Sequence, residues 1–543
     1  MGEAAAPTEG ARRPRVAAYA WYALFVLVLV YIVNFIDRQI LSILVGDIKR
    51  DLGVSDAQIG FLYGTAFAVF YALFGIPLGR LADSWYRGRL MAIGLALWST
   101  MTAFSGFANS FGMLAAARIG VGIGEASASP AAYSMISDSF PKERRATALS
   151  IYSSGLYIGG ALSLPIGGAV VAAWNGAYPD PIAAPLGLAG WQAAFLAVGV
   201  PGLLLALWVL TLREPRRGES DGHPEPVVRP NAWRDFGREL VAILPPLTLI
   251  SVSRIPGALP LNLMVLGLVV AGGYGLYALT GDAPQWLAYG LGVYAVFSWI
   301  QSLKHRDLPT HRLIWGSPAV VIMVLAFGSI AFVTYATSFW IPPYVEARFY
   351  GGGSAVSRFV AGLTAKEEIG LIVGWSAAVS AAAGVILGGY ASDLWRQHDP
   401  RGRLFVNMIS VIMPIPLVAF LLTTDSLGAF YLINPLAHMF ASAWVGAAVA
   451  TLQDLVLPRM RATAGATYVL GTTMVGLALG PYYAGKMSVL SGDLATGIFA
   501  LYLMPPLTLV GLWLGSRRIA ELEATRFERA RAAGEPDAPG APA

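Results

Sequence analysis

Apolar runs of about 20 residues, the length that a membrane-spanning helix needs, alternate with short polar segments along almost the whole chain. The seventh and eighth runs are the weakest as complete spans and follow a broken apolar stretch, VAILPPLTLISVSRIPGALP. The pattern predicts an all-α, polytopic membrane protein. The fourteen candidate spans lie near 19–46, 57–82, 90–109, 111–137, 146–173, 191–212, 261–280, 285–303, 316–344, 368–391, 404–424, 428–456, 463–487 and 494–515.

Basic residues concentrate in every second loop between these runs. The intervening loops GFANSFG and NGAYPDPIAAPLGLAG contain neither Lys nor Arg. Because positively charged loops stay on the cytoplasmic side, both termini are predicted to be cytoplasmic. The basic loops include Arg80, Arg87 and Arg89 after the second run, Arg144 and Arg145 after the fourth, Arg213, Arg216 and Arg217 after the sixth, and Arg517 and Arg518 after the last.

Composition agrees with a membrane protein and excludes several kinds of chemistry. Of the 543 residues, 56% are hydrophobic and only 13% are charged, whereas soluble domains carry about 25% charged residues. The chain has no cysteine, which excludes disulfides and thiol catalysis, and its five histidines are scattered. We therefore expect no metal site and no cofactor. The net charge of +5 lies in the loops and does not indicate binding to nucleic acid.

The sequence repeats itself at long range. Gly60 and Asp83 recur as Gly370 and Asp393, 310 positions later, within similar stretches QIGFLYG…GRLADSW and EIGLIVG…GYASDLW. A second stretch, RATALSIYSSGLYIGGALSLP, recurs 316 positions later as RATAGATYVLGTTMVGLALGP. Long-period self-similarity of this kind predicts two six-helix bundles in parallel repeat, which is a common plan of secondary transporters.

The repeat divides the chain. The runs at 261–303 fall outside it, so we expect an inserted apolar hairpin between the halves, packed outside the bundle and dispensable for coupling. The predicted parts are a cytoplasmic N-terminal segment (1–18), a first bundle (19–212), a central linker with the two inserted segments (213–315), a second bundle (316–515) and a cytoplasmic tail (516–543).

Several motifs resemble those of the major facilitator superfamily. GRLADSWYRGR at 79–89 is similar to its signature loop, and RIGVGIGEA at 118–126 to its fourth-helix motif. NFIDRQILS at 34–42 and the stretch at 122–159 most resemble the spinster family, as a bacterial-type homologue. The resemblance implies the major facilitator fold, a bacterial inner membrane, and transport of lysolipids or sphingoid phosphates.

Four charged residues lie well inside predicted spans, away from the span ends, where a charge costs roughly 2.5–3.5 kcal/mol even on insertion scales. Asp37 and Arg38 share the first helix, and Arg118 and Glu125 lie on one face of the fourth, about 10 Å apart along its axis. We predict that Asp37 and Glu125 exchange Arg118 as a partner and carry protons, the role that the spinster resemblance also implies. Arg38 is expected to be secondary, as a partner or a contact for an anionic head group. The alternative is a fixed ion-pair network that only positions the helices.

The signature loop is predicted to be a cytoplasmic gate. Asp83 is expected to accept hydrogen bonds from a helix N-terminus of the other half, and Arg87 or Arg89 to reach Asp138. In the second half we expect the same roles for Asp393 and Asp454. The alternative is that the arginines only determine topology.

Polar and aromatic residues of FVTYATSFWIPPYVE, at 332–346, are candidates for the substrate cavity, as is Ser129 on the Arg118 face. Aromatic residues near helix ends are also common interface anchors, and that interpretation stays open. The cavity candidates are Arg38, Arg118, Ser129, Thr334, Tyr335, Ser338, Trp340 and Tyr468.

The favoured function is a monomeric, proton-coupled transporter of amphipathic, lipid-like substrates, working by alternating access. One alternative is a proton-coupled antiporter of drugs or other small molecules, such as sugars, on the same fold. Another is a membrane receptor or sensor that does not transport. An enzyme is not expected, because the sequence shows no nucleophile–base arrangement and no phosphate-binding loop.

Overall fold

The computed structural model describes residues 18–217, 228, 230–351 and 356–535, and helices form nearly all of the regular structure in these ranges. Ten of the described helices are long and apolar enough to cross a membrane. The all-α prediction is confirmed. The first half consists of α1 (Ala18–Leu52), α2 (Asp56–Ala82), α3 (Arg87–Ser105), α4 (Phe111–Glu125, continuing as Ala128–Ser139), α5 (Lys142–Ala177) and α6 (Gly190–Leu210).

The second half repeats this plan after a central insertion. Its fifth helix is interrupted by a π-helical segment, Thr472–Leu477, at the level where it crosses the first half. The insertion contributes α7 (Ala232–Ile243), α8 (Leu259–Thr280) and α9 (Ala283–Arg306). The second half comprises α10 (Pro318–Tyr350), α11 (Ala365–Arg396), α12 (Gly402–Thr423), α13 (Leu427–Asp454), α14 (Arg461–Gly471 and Gly480–Ser491) and α15 (Leu494–Ala524), followed by a short α16 (Arg526–Arg531).

Matching glycines of the internal repeat pack the two halves against each other. A Cβ on Gly60 of α2 would lie 2.3 Å from the Pro481 carbonyl oxygen of α14. A Cβ on the repeat-matched Gly370 of α11 would lie 2.9 Å from the Cα of Pro165 in α5. Pro165 and Pro481 are themselves repeat partners, so the two crossings are related by the pseudo-symmetry. Only residues without a side chain allow backbones this close.

These crossings belong to one side of the bundle. We call the side where α1 ends the Asp47 end, and the opposite side, where α2 ends, the Asp83 end. At the Asp47 end the Ser42 hydroxyl donates a 2.6 Å hydrogen bond to the Phe339 carbonyl oxygen, and the Tyr63 ring stacks on the Phe339 ring at 4.0 Å. The two halves are therefore held together at this end.

The inserted hairpin packs on the outside of the bundle, over the seam between α2 and α14. Its helices α8 and α9 have 22 and 24 residues. Of the two, α8 is long and apolar enough to cross a membrane, and it presents an apolar surface that the protein leaves uncovered. Asn262 of α8 donates to Ser298 and Gln301 of α9, which fixes the two helices to each other. The segments that seemed weakest in the sequence thus form two full-length helices.

The ends of the chain and part of the linker lie outside the described ranges. Of the predicted N-terminal segment only residue 18 is described, where it begins α1, and the predicted tail is described to residue 535. Within the linker, residues 218–227 and 229 are not described. The amphipathic helix α7 packs against α2, and its Trp233 ring contacts that of Trp85 at the Asp83 end.

Candidate functional site

A buried ion pair between α1 and α4 forms the centre of the candidate site. The Arg38 guanidinium donates a 2.6 Å hydrogen bond to Glu125, whose side chain is fully buried. The same guanidinium lies over the rings of Phe35 at 4.8 Å and Phe67 at 4.5 Å. The Glu125 carboxylate and the two ring faces together stabilise this cation in otherwise apolar surroundings.

This pairing differs from the sequence-based prediction in the role of Arg38. The sequence predicts that Arg118 alternates between Asp37 and Glu125 and that Arg38 is secondary. In this conformation Arg38 holds Glu125, while Arg118 donates a 3.3 Å hydrogen bond to the backbone oxygen of Asp37. The exchange of Arg118 between the two acids stays a prediction. The spacing along α4 was read correctly, but it does not reveal which residue of α1 turns toward Glu125.

Asp37 occupies a different pocket from Arg38, inside the first half. Its side chain is fully buried, and neither carboxylate oxygen has a hydrogen-bond partner among the described residues. The Trp98 and Thr102 side chains of α3 lie beside it, and their polar atoms are likewise unpaired within the described part of the chain. Buried polar atoms are rarely left unpaired, so this pocket is suited to a proton or a water molecule.

Asn34 is a member of the site that sequence reasoning missed. It is buried one helical turn before Arg38, on the same face of α1, and its side chain contacts the Glu125 carboxylate. The i, i+4 spacing from Arg38 is the signal that identifies it.

Tyrosines from both halves surround the ion pair. Tyr335 of α10 lies near Arg38, so it brings the second half to the site. In the first half the Tyr31 and Tyr152 rings stack at 4.5 Å, and the Ser129 side chain contacts Tyr152. Tyr335 and Ser129 are predicted cavity residues, and their contact with substrate stays a prediction. The tyrosines that sequence reasoning missed are Tyr31, Tyr71, Tyr133, Tyr152 and Tyr157.

Three predicted cavity residues lie elsewhere. Thr334 and Ser338 line a separate cavity of about 30 Å³ enclosed within the second half, beside Asn434 and His438. Trp340 is fully buried and donates a 2.9 Å hydrogen bond to the Pro481 carbonyl oxygen, so it joins α10 to α14. Thr334 and Ser338 are four residues apart and therefore lie on one face of α10, which faces this cavity. Tyr335 lies on a different face of the helix, the one near Arg38.

Tyr468 lies beside the tyrosines that surround the ion pair. Its ring packs on Trp444 at 6.0 Å and on Phe327 at 6.5 Å, and its hydroxyl lies near Tyr335 and Tyr157. It therefore links the core of the second half to the tyrosines around Arg38.

The predicted gate residues form ion pairs inside each half. Arg87 is fully buried and donates to Asp138, to Ser134 at 2.7 Å and to Glu214 at 2.7 Å. Arg89 is instead exposed, with its guanidinium 4.5 Å from the centre of the Tyr86 ring. Of the two candidates for Asp138, Arg87 is the one that reaches it, and Glu214 is a partner that the sequence did not suggest.

The second half repeats this network. Arg396 and Arg403 both bind Asp454, and Arg403 also lies 3.1 Å from Asp393. Asp83 is the C-cap residue of α2, near Arg217, which donates to the carbonyl oxygens at the end of that helix. The expected contact between Asp83 and the other half stays a prediction.

The chain is similar to known membrane proteins over most of its length. The family model of the major facilitator superfamily matches residues 27–481. A major facilitator-type efflux pump of Mycolicibacterium smegmatis is 26% identical over 92% of this chain and 93% of its own length. Protein spinster of Drosophila melanogaster is 29% identical over 37% of this chain and 31% of its own length. The crystal structure of a bacterial homologue of the human lysosomal transporter spinster, inward-facing and unoccupied, has a TM-score of 0.64 at 24% identity, covering 95% of this chain and 97% of that one.

Proposed function

The chain belongs to the major facilitator superfamily, and we propose that it is a proton-coupled secondary transporter that moves amphipathic, lipid-like substrates by alternating access. The chain is a multi-pass membrane protein of a transporter family, and the proposal builds on that family membership. Coupling to protons and the class of substrate are the parts that need testing.

The buried pair of Arg38 and Glu125 carries the proposal. Arginine keeps its proton in proteins, whereas a carboxylate without a cationic partner in apolar surroundings takes one up. A substrate anion that binds Arg38 competes directly with Glu125, and the displaced carboxylate is then protonated. Asp37, the chain neighbour of Arg38, is fully buried beside Arg118 and offers a second carboxylate that can take up a proton. Binding of substrate and of protons is thereby linked.

The surroundings of Arg38 favour an amphipathic substrate. A guanidinium binds phosphate or carboxylate head groups, and the rings of Phe67, Tyr71 and Tyr335 present apolar faces beside it. A lysolipid or sphingoid phosphate combines one such head group with a single apolar chain.

We assign the Asp47 end to the outside of the cell and the Asp83 end to the cytoplasm, in the inner membrane of a bacterium. The basic loops at the Asp83 end favour this orientation. The halves touch at the Asp47 end, while Tyr133 and Tyr335, toward the other end, remain 42% and 36% exposed. This arrangement corresponds to an inward-open conformation.

The test is uptake by the purified full-length chain in vesicles of phosphatidylethanolamine and phosphatidylglycerol. Labelled lysophospholipid and sphingoid phosphate are offered with an imposed pH gradient of either sign and with none. We expect accumulation to depend on the gradient and to disappear when a protonophore collapses it. Equal movement with and without the gradient would contradict proton coupling.

A second candidate is efflux of apolar drugs. The specific observation that favours it is the nearly full-length similarity to a bacterial efflux pump. The same vesicles distinguish the two: gradient-driven movement of a lipophilic cationic dye, with none of the lysolipid, supports drug efflux and contradicts the lipid proposal. Because Arg38 repels cations, a cationic dye is the more discriminating probe.

A further inference from the structure

Three charged side chains meet where the two halves touch at the Asp47 end. The ammonium group of Lys366, at the start of α11, lies 2.7 Å from Asp47 of α1 and 3.2 Å from Glu346 of α10. It also donates a 3.1 Å hydrogen bond to the carbonyl oxygen of Ile43. All three charged side chains are at most 7% exposed, so this is a buried cluster between the halves.

The cluster holds two carboxylates for one buried amine. Asp47 has a second cation, because Arg50 from the same helix donates a 2.6 Å hydrogen bond to it from a largely exposed position. Lys366, Asp47 and Arg50 are the charged groups that act on Glu346. Lys366 is its ion-pair partner, at the longer of the two distances. Glu346 is therefore the carboxylate whose charge is least compensated when the halves touch.

The consequence of opening this end depends on which half carries each charged residue. Lys366 and Glu346 both belong to the second half and move together, whereas Asp47 belongs to the first. Opening breaks the contact of Lys366 with Asp47 and leaves each carboxylate with a base of its own half, Arg50 for Asp47 and Lys366 for Glu346. Closing requires Lys366 to turn from Glu346 toward Asp47.

An open vestibule gives protons access to the cluster. This space of about 660 Å³ is lined by Gly46, Arg50 and Glu346, together with the neighbouring pair of Lys49 and Asp56. A Cβ on Gly46 would lie 3.3 Å from a Glu346 carboxylate oxygen, so the carboxylate borders this space directly. Protonation of Glu346 needs no passage past Arg38 and Glu125.

We propose that Glu346 is a proton-binding site whose protonation closes the Asp47 end. A proton on Glu346 releases Lys366 to pair with Asp47, and loss of that proton draws Lys366 back and weakens the contact between the halves. The use of this site in transport rests on the proposed function, in which Glu346 binds a proton on the outer side before the inner side opens. The site lies apart from Arg38 and Glu125 and is a second point of proton linkage.

Spin labels test the proposal without any substrate. The chain has no cysteine, so Ile182→Cys in the first half and Val356→Cys in the second, both strongly exposed, can be labelled cleanly. Double electron–electron resonance on the full chain in lipid nanodiscs then reports their distance from about pH 5 to about pH 9, because burial moves the titration of a carboxyl group toward neutral pH. We expect the open population to rise with pH by about fivefold or more relative to the closed one, as for typical coupled sites.

Variants identify the residue responsible. Glu346→Gln should stay closed across the pH range, whereas Asp47→Asn should stay more open and lose most of the pH response. Asp425→Asn, which removes an exposed carboxylate of the second half that pairs with Arg348, is the control and should behave as the parent. If Glu346→Gln does not fold, Lys366→Met must also abolish the pH response.

The proposal is wrong if Glu346→Gln or Lys366→Met keeps the parent's pH response, or if Asp425→Asn loses it equally. Failure of the transport proposal looks different. In that case the distances still change with pH through Glu346, but no lysolipid accumulates in vesicles.

Discussion

Arg38 of α1 and Glu125 of α4 form a 2.6 Å ion pair at the point where the first half faces the second. The pair is buried, and Asn34 and the ring of Phe67 complete its surroundings. A buried pair of this kind contributes little net stability, but removing one partner leaves an uncompensated charge. In the proposed function the pair acts as a switch, because any group that takes Arg38 away from Glu125 leaves that carboxylate to be protonated.

We expect Glu125→Gln to abolish gradient-driven accumulation while leaving substrate exchange intact. The amide keeps the shape and some hydrogen bonding of the side chain but cannot titrate. The measurement is uptake with a pH gradient alongside counterflow without one, in the same vesicles. Glu521→Gln, near the end of α15, where the side chain is 58% exposed, is the matched control. Accumulation by Glu125→Gln at the parent level would remove Glu125 from the coupling mechanism.

Arg38→Ala is expected to lower thermal stability as well as binding. It leaves Glu125 buried without its cation, a loss of about 3–5 kcal/mol for a broken buried pair. The double variant Arg38→Met, Glu125→Gln removes both charges and should recover most of that stability without recovering transport. Thermal unfolding of the single and double variants measures the coupling. Additive losses would show that the two residues act independently.

The internal repeat explains why the arrangement of the halves was predictable. Gly60 and Gly370 were matched by position in the sequence, and the structure packs them against Pro481 and Pro165, which were matched too. Sequence similarity between the two halves reflects packing contacts that occur in both of them. It carries no information about features that occur once, such as the hairpin's position over the α2–α14 seam.

The sequence pointed to the charged residues of the candidate site but not to the contacts between them. Spacing along one helix places Arg118 and Glu125 on a common face, yet the rotation of α1 decides that Arg38 rather than Asp37 faces Glu125. The predicted place of Thr334 and Ser338 in the substrate cavity differs from the structure for a related reason. Polar residues on a helix of the second half face either the space between the halves or a cavity inside one half, and sequence polarity does not distinguish these directions.

Gly60→Ala should favour opening of the Asp47 end. The new Cβ would lie 2.3 Å from the backbone oxygen of Pro481, so α2 and α14 must move apart, at a cost of about 1–3 kcal/mol to the closed state. Gly75→Ala in the same helix, where no atom lies within 4 Å of the added Cβ, is the control. The Ile182–Val356 spin-label distance measures the shift, and an unchanged distribution for Gly60→Ala would contradict it.

Arg87→Gln should destabilise the protein far more than Arg89→Gln. Arg87 is fully buried and bonds Asp138 and Glu214, whose charges are left without it, whereas Arg89 is exposed. We expect a loss of about 3–5 kcal/mol for Arg87→Gln and less than about 1 kcal/mol for Arg89→Gln. Thermal unfolding of the two purified variants provides the comparison. Equal stability would mean that the network at the Asp83 end contributes little to the fold.

Asp282→Asn tests whether the hairpin helps to hold the halves together. Asp282, at the start of α9, lies 2.9 Å from the Lys486 ammonium group of α14 and accepts a 2.8 Å hydrogen bond from Tyr482. Deeper in the membrane, the Thr65 hydroxyl of α2 lies 2.7 Å from Gln285 and 2.5 Å from the Ala478 carbonyl oxygen. The hairpin thus contacts both halves at the end where they touch.

Because the ion pair of Asp282 is partly exposed, its loss should weaken the closed Asp47 end by only about 1 kcal/mol, which is roughly a fivefold change in the ratio of open to closed. The proposed coupling residues, Arg38 and Glu125, lie elsewhere, so gradient-driven uptake by Asp282→Asn should keep its dependence on pH while its rate changes. Asp180→Asn, in the exposed α5–α6 loop, is the control for removing an acid at the same end. Loss of the pH dependence in Asp282→Asn alone would instead make the hairpin part of the coupling mechanism, because its contact with α14 would then be needed for proton linkage.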